Sequence, residues 1–131
     1  MLAEALYSRD NIALSIEYST RALAYFSNNA EQYPINYAIT LYELGIAHNH
    51  TGDIPQSINY MLRAEQALTP YRGYSDDVDA LFGGIYHTLG SSYCLLGQQS
   101  KGVGYMKLAQ PLLEKNIEQY EPHTAHCTQG V

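Results

Sequence analysis

The apolar residues of this chain recur at the 3.6-residue period of an α-helix, in segments separated by Gly, Pro, Asp and Asn. No alternating apolar–polar pattern of the kind that marks β-strands occurs between turn dipeptides. The sequence therefore predicts an all-α chain made of helix–turn–helix pairs. The predicted helices cover approximately residues 11–27, 34–51, 54–68, 75–96 and 98–119.

Several residues predict where these helices begin and end. Pro34 suits a first helical turn, because the amide that proline lacks would have no partner there. Gly52 and Gly97 are typical of the left-handed residue that ends a helix, and Asp53 is a favourable N-cap for the next one. Pro111 lies inside the last predicted helix, which we expect it to kink or to end early.

The helical pattern also repeats itself. Leu44-Gly45, Gly52, Tyr60, Met61 and Ala64 recur 45 positions later as Leu89-Gly90, Gly97, Tyr105, Met106 and Ala109. Self-similarity at a fixed period of this length is typical of stacked helical repeats. The spacing predicts one repeat over 33–70 and a second over 75–119.

Both ends of the chain resemble parts of further repeats. Residues 11–22 match 53–64 at an offset of 42, so that 1–28 reads as a partial repeat. Residues 120–131 match the start of the first helix of a repeat, through Tyr120, Ala125 and Val131. We therefore interpret 1–131 as a single repeat domain that is a fragment of a longer protein, or whose ends pair with another copy.

Gly45 and Gly90 occupy the same position of the repeat, within helices. A glycine there costs about 1 kcal/mol relative to alanine, which predicts a structural reason for it. We expect each glycine to mark a point where two helices cross too closely for a β-carbon. Ala64 and Ala109 are the small residues expected on the other side of each crossing.

Charge and composition exclude several kinds of partner. The net charge is −6, and the seven Lys and Arg residues are scattered, which argues against nucleic acids and anionic membranes. No apolar run is long enough to span a membrane, and the first residues do not resemble a signal peptide.

Cys94 and Cys127 lie far apart in the sequence, and we expect reduced thiols. The compartment stays open, with the cytoplasm favoured.

At these residues the chain resembles the tetratricopeptide repeat family, whose pattern has Leu-Gly in the first helix, a Gly-Asp type of turn and small residues in the second. Residues 42–47, 52–54 and 57–64 fit this pattern well, and the second repeat fits it less well, with Gly102 where alanine is usual. The ordinary period is 34 residues, so periods of 42 and 45 are similar to the long-helix subclass found in kinesin light chain. HEAT and armadillo arrays are the second choice. The resemblance implies a right-handed superhelical α-solenoid.

The resemblance also implies where a ligand would bind, because the first helix of each repeat lines the concave face of such arrays. Positions spaced by 3, 4 and 3 residues would point into the groove together. They are Ile39, Tyr42, Ile46 and Asn49, with the equivalents Gly84, His87, Ser91 and Cys94 and the flanking Glu43. None is basic, which disfavours the capture of a C-terminal carboxylate and favours a neutral or basic peptide. The alternative is that solvent or a neighbouring domain covers these residues.

The sequence offers little support for an enzyme. His48 and His50 face different sides of a helix and make a poor metal pair, and the His123–Cys127 group lies at the end of the chain. We expect no catalytic residues, cofactor or metal. The predicted function is a protein- or peptide-binding module, the scaffolding or sensory part of a larger signalling protein. Self-association through the repeat ends is the alternative, and a metal-dependent enzyme comes third.

Overall fold

A computed structural model describes residues 9–116 of the chain, with side chains over 11–114, and these residues contain no β-strand. The prediction of an all-α chain is therefore confirmed for this part. The helices are α1 (Arg9–Asn28), α2 (Pro34–Thr51), α3 (Ile54–Leu68), α4 (Asp76–Leu95) and α5 (Gln99–Asn116), with a short 3-10 helix at Thr69–Tyr71 between α3 and α4.

The chain divides into two compact units, Met1–Ala67 and Leu68–Val131. The first unit contains α1, α2 and nearly all of α3, and the second contains the 3-10 helix, α4 and α5. Each unit therefore includes one pair of consecutive helices joined by a short turn.

The helices begin where the sequence predicts. Pro34 lies in the first turn of α2. Before α3, the Asp53 carboxylate accepts a hydrogen bond from the backbone N–H of Gln56 at 3.4 Å. Before α4, the Ser75 hydroxyl accepts one from the N–H of Val78 at 3.2 Å. These side chains satisfy amides that the first helical turn would leave without a partner.

Glycine ends α2 and follows α4 in the same way. Gly52 and Gly97 have φ values of 89° and 82°, a backbone region that costs little only for glycine. After Gly52, the N–H of Asp53 donates to the carbonyl of His48 at 3.0 Å. After Gly97, the N–H of Gln98 donates to the carbonyl of Tyr93 at 2.9 Å. Both turns thus close with the same hydrogen bond, 45 residues apart.

The core of the first unit lies between α2 and α3. Leu41 and Leu44 of α2 and Met61 and Ala64 of α3 are fully buried. Helix α1 packs against α2, but Ile12 is its only buried apolar side chain among the described residues. The innermost part of this unit is therefore the hairpin of α2 and α3.

The core of the second unit lies between α4 and α5, where the largest buried side chains include Phe82, Ile85 and Leu89. Helix α5 continues through Pro111 to Asn116, so of the two effects expected of this proline, an early end of the helix does not occur. Pro111 is exposed. Water can therefore reach the carbonyl that loses its hydrogen bond to the missing amide, which lowers the cost of proline in the helix.

Candidate functional site

The two helices of the first hairpin approach closely at Gly45. A β-carbon at this position would lie 2.7 Å from Met61 Cε and 3.0 Å from Met61 Cγ. The Ser57 hydroxyl, which is buried, donates a hydrogen bond to the Gly45 carbonyl at 2.7 Å. The missing side chain thus gives α3 access to the backbone of α2.

The second hairpin has the same approach at Gly90, 45 residues later. Here a β-carbon would lie 2.8 Å from the Gly102 carbonyl oxygen and 3.1 Å from the Met106 amide nitrogen. Gly102 occupies the repeat position of Ser57, so the hydroxyl that bonds to the Gly45 carbonyl has no counterpart at this position. A β-carbon at Gly90 would therefore meet the backbone of α5 as well as Met106 Cγ at 2.8 Å, whereas one at Gly45 would meet side-chain atoms of Met61.

A stacked pair of rings lies next to each glycine. His48 stacks on Tyr60 with ring centroids 5.4 Å apart and planes 15° apart. At the equivalent positions, Tyr93 stacks on Tyr105 with ring centroids 5.7 Å apart and planes 6° apart. His48 and Tyr93 thus have the same stacking role at equivalent positions of the two hairpins.

The pairing order shows that both hairpins are antiparallel. In the first, His48 contacts Tyr60 while the earlier Gly45 approaches the later Met61. In the second hairpin, Gly83 approaches Leu113 and Gly90 approaches Met106. The later residue of α4 thus contacts the earlier residue of α5. The glycine turns, the close approaches and the ring stacks therefore repeat as a set at one 45-residue offset.

On α2, the candidate ligand residues form one accessible face. Ile39 is 39% exposed and Glu43 is also exposed. Tyr42, Ile46 and Asn49 are half-buried. The face presents aliphatic, aromatic, amide and carboxylate groups, and none of its members belongs to the buried core of the unit.

On α4, the equivalent residues are less open. His87, Ser91 and Cys94 are half-buried, and the Nε2 atom of His87 is buried. The sulfur of Cys94 lies against Gly102 of α5, where an added β-carbon would collide with it. The α2 residues belong to the first unit and the α4 residues to the second.

Cys94 is disulfide-bonded, so the expectation of a reduced thiol there is wrong. Distance along the sequence was the basis of that expectation, but it does not limit the distance between two sulfur atoms in a folded chain. The other cysteine, Cys127, lies outside the described residues.

Glu43 is the one acidic member of the α2 candidate face. Loss of surrounding water raises the pKa of its carboxyl above the ordinary value of 4.5, although part of the side chain is exposed. A carboxylate in such a place gains from a cationic group nearby, because the cation replaces the hydration that the fold removes.

Glu43→Gln is expected to make stability less dependent on pH. Because folding raises the pKa of Glu43, the folded chain holds the proton more tightly, and stability falls as pH rises from 4.5 through the raised value. The variant should therefore unfold at higher urea concentration than the parent chain at about pH 7, and at nearly the same concentration at about pH 4. If the variant and the parent chain had equal urea midpoints at pH 7 as well as at pH 4, this assignment would be contradicted. Exposed Glu31→Gln serves as the control.

One contact of the second unit was not predicted. Arg72, which the sequence placed in a loop, lies over the Phe82 ring at 4.2 Å and donates a hydrogen bond to the Tyr86 hydroxyl at 2.7 Å. Tyr86 stacks on Tyr105, which in turn stacks on Tyr93. Only the spacing of Phe82 and Tyr86 by four residues signalled that they share a helix face, and nothing in the sequence pointed to Arg72.

Within residues 9–116 no group of three His, Cys, Asp or Glu side chains is arranged to hold a metal ion. The His123–Cys127 group lies outside this range. Among the described helices, none combines the length and the apolar character that crossing a membrane requires.

Comparisons with protein-family models, curated proteins and solved structures find no match for this chain. Its class follows from the geometry alone. Over residues 9–116 it is an all-α protein in which two antiparallel helical hairpins have close approaches and ring stacks at equivalent positions.

Proposed function

We propose that this chain is a helical-repeat module that binds a protein or peptide. The observation that carries the proposal is the set of contacts shared by the two hairpins at one 45-residue offset. Chains built from repeated hairpins commonly stack them into solenoids, whose extended surfaces bind other proteins. We extend this to a right-handed superhelical array of the long-period tetratricopeptide type, acting as the scaffolding or sensory part of a larger signalling protein.

The accessible face of α2 fits a peptide of neutral to basic character. Tyr42 offers a large ring with a polar end, and the Asn49 amide can bond to a peptide backbone. Glu43 carries a carboxylate whose pKa is raised by loss of water, which a Lys or Arg side chain would stabilise in its charged form. The net charge of −6 acts in the same direction over longer distances.

The test is a peptide-array screen with the full chain, followed by titration of the best peptide against variants. Tyr42→Ala and Asn49→Ala should each weaken binding by about tenfold or more, as loss of a central contact residue does. The matched controls are Tyr74→Ala and Asn59→Ala, which remove the same side chains from exposed positions outside this face. Both control variants should bind as the parent chain does.

Equal affinity of the parent chain and of both α2 variants would remove this face from the proposed function. An equal loss in the control variants would show that the substitutions act through the fold. Far-UV circular dichroism and urea midpoints, measured on all four variants, separate a binding defect from partial unfolding.

A further inference from the structure

Cys94, in the last turn of α4, is joined to another cysteine by a disulfide bond. The chain has one other cysteine, Cys127. This residue lies outside the described residues, in the part of the sequence that the second compact unit includes as far as Val131. The composition of the chain therefore leaves Cys127 as the partner of Cys94 within one molecule.

The space for the sulfur of Cys94 comes from a paired exchange between the two hairpins. Cys94 and Gly102 occupy the repeat positions of Asn49 and Ser57. A β-carbon at Gly102 would collide with Cys94 Sγ, and it would lie 3.0 Å from the Cys94 amide nitrogen and 2.7 Å from the Gly90 carbonyl oxygen. A serine at position 102 would thus fill the space in which the sulfur lies. The cysteine and the glycine are therefore matched to each other.

The position of Cys94 determines the path that the chain must take after α5. Gly83 approaches Leu113, so the end of α5 lies beside the first half of α4. Cys94 follows Gly83 by eleven residues, which is about 16 Å along the helix. Residues 117–127 span about 16 Å as a helix and at most about 36 Å when extended. They are long enough to reach Cys94, and to do so they must run back along the hairpin.

We propose that residues 117–127 form a strap along the hairpin of α4 and α5, which a disulfide bond between Cys94 and Cys127 locks and which reduction of that bond releases. Cys94 is the last of the α4 residues equivalent to the α2 candidate face, so the locked strap ends at that surface. Disulfide bonds persist in oxidising surroundings and open where cellular thiols keep the surroundings reducing. The strap is thus a redox-sensitive part of the second unit, and it does not depend on peptide binding at α2.

Release of the strap is a thiol–disulfide exchange in which a dithiol is the reductant. One thiolate of the dithiol attacks the sulfur of Cys127, since the sulfur of Cys94 lies against α5, and Cys94 leaves as a thiolate. The second thiol then attacks the mixed disulfide, and Cys127 leaves as a thiolate. The dithiol becomes a disulfide, and the two cysteines take up its two electrons and two protons. Locking runs the same steps in reverse, with a disulfide as the oxidant.

The first test concerns the identity of the bond. Trypsin cleaves after Lys and Arg, so Cys94 lies in the peptide 73–101 and Cys127 in the peptide 116–131. Mass spectrometry of the full chain, digested without reductant, should find these two peptides joined, and dithiothreitol should separate them. Free thiols on both peptides would overturn the proposal, and so would a peptide joined to a second copy of itself.

The second test concerns the strap and uses hydrogen exchange of the backbone amides of residues 117–127. These amides should exchange about tenfold or more slowly in the oxidised parent chain than in Cys127→Ser or in the reduced parent chain. The amides of α2 are the internal reference and should exchange alike in all three samples. Equal exchange over 117–127 would overturn the strap, because the bond would then join two residues without ordering the segment before Cys127.

Stability provides a third, independent test. The bond closes a loop of about 33 residues and restricts the unfolded chain, so Cys127→Ser should lower the urea midpoint by about 1 M or more. Dithiothreitol should lower the midpoint of the parent chain equally. The control is the double variant Cys94→Ser with Cys127→Ser, whose midpoint dithiothreitol should leave unchanged. A parent chain whose midpoint does not respond to dithiothreitol would contradict the lock.

Discussion

Gly90→Ala is expected to lower the free energy of unfolding by about 2 kcal/mol or more, whereas Gly45→Ala should change it by less than about 1 kcal/mol. At Gly90 the new methyl group meets the Gly102 carbonyl and the Met106 amide nitrogen, and two helix backbones must move apart. At Gly45 it meets the Cγ, Sδ and Cε atoms of Met61, a flexible side chain that can adjust by rotation. The higher helix propensity of alanine then offsets most of the cost.

Urea unfolding, followed by circular dichroism, measures the difference between these two variants. Gly104→Ala is the control, because a β-carbon there has no neighbour within 4 Å. It should stabilise the chain by up to about 1 kcal/mol through helix propensity alone. Equal losses of unfolding free energy in Gly45→Ala and Gly90→Ala would contradict the expectation that moving two helix backbones apart costs more than moving a methionine side chain.

Phe82→Ala is expected to cost about 3–5 kcal/mol, because the ring is nearly fully buried and its removal leaves a cavity. The substitution also removes the ring beneath the Arg72 guanidinium and one partner of the stack with Tyr86. Phe82→Leu keeps most of the buried volume and should cost less than half as much. Thermal and urea unfolding of the three chains measure both effects.

A double-mutant cycle with Arg72→Ala isolates the contact between the guanidinium and the Phe82 ring. Because Arg72 is exposed, we expect a coupling of about 0.5–1 kcal/mol, far below the cost of the cavity. A loss in Phe82→Ala no larger than that coupling would contradict the placement of Phe82 in the core. Tyr74→Ala, in the exposed loop before α4, provides a reference for loss of an aromatic ring without a cavity.

Much of the fold follows from local signals. Pro34, Gly52 and Ser75 mark helix ends through backbone requirements that depend on immediate neighbours alone. The recurrence of Leu-Gly predicted two equivalent hairpins, and the structure gives Gly45 and Gly90 equivalent close approaches. One glycine at one position is enough to predict a close approach of two helices here, because the sequence shows the same constraint twice, once in each repeat.

The remaining features depend on contacts that lie far apart in the sequence. The sequence places Gly45 and Gly90 alike, but only the folded chain shows that Gly45 faces side-chain atoms alone and that Gly90 also faces a backbone. Arg72 reaches Phe82 and Tyr86 through the path of a loop, which no periodicity encodes. The exposure of the candidate face on α2 likewise depends on what packs around it, and its ligand stays a proposal.

The exchange of Ser57 for Gly102 has a consequence for how each hairpin holds its axial register. In the first, the hydroxyl bond to the Gly45 carbonyl is directional, so that a slide of α3 along α2 breaks it. In the second, Gly102 has no hydroxyl to make the equivalent bond to the Gly90 carbonyl, and the backbone of α5 lies directly against Gly90. The hydroxyl bond therefore opposes axial sliding at the first crossing, and the second crossing lacks this particular bond.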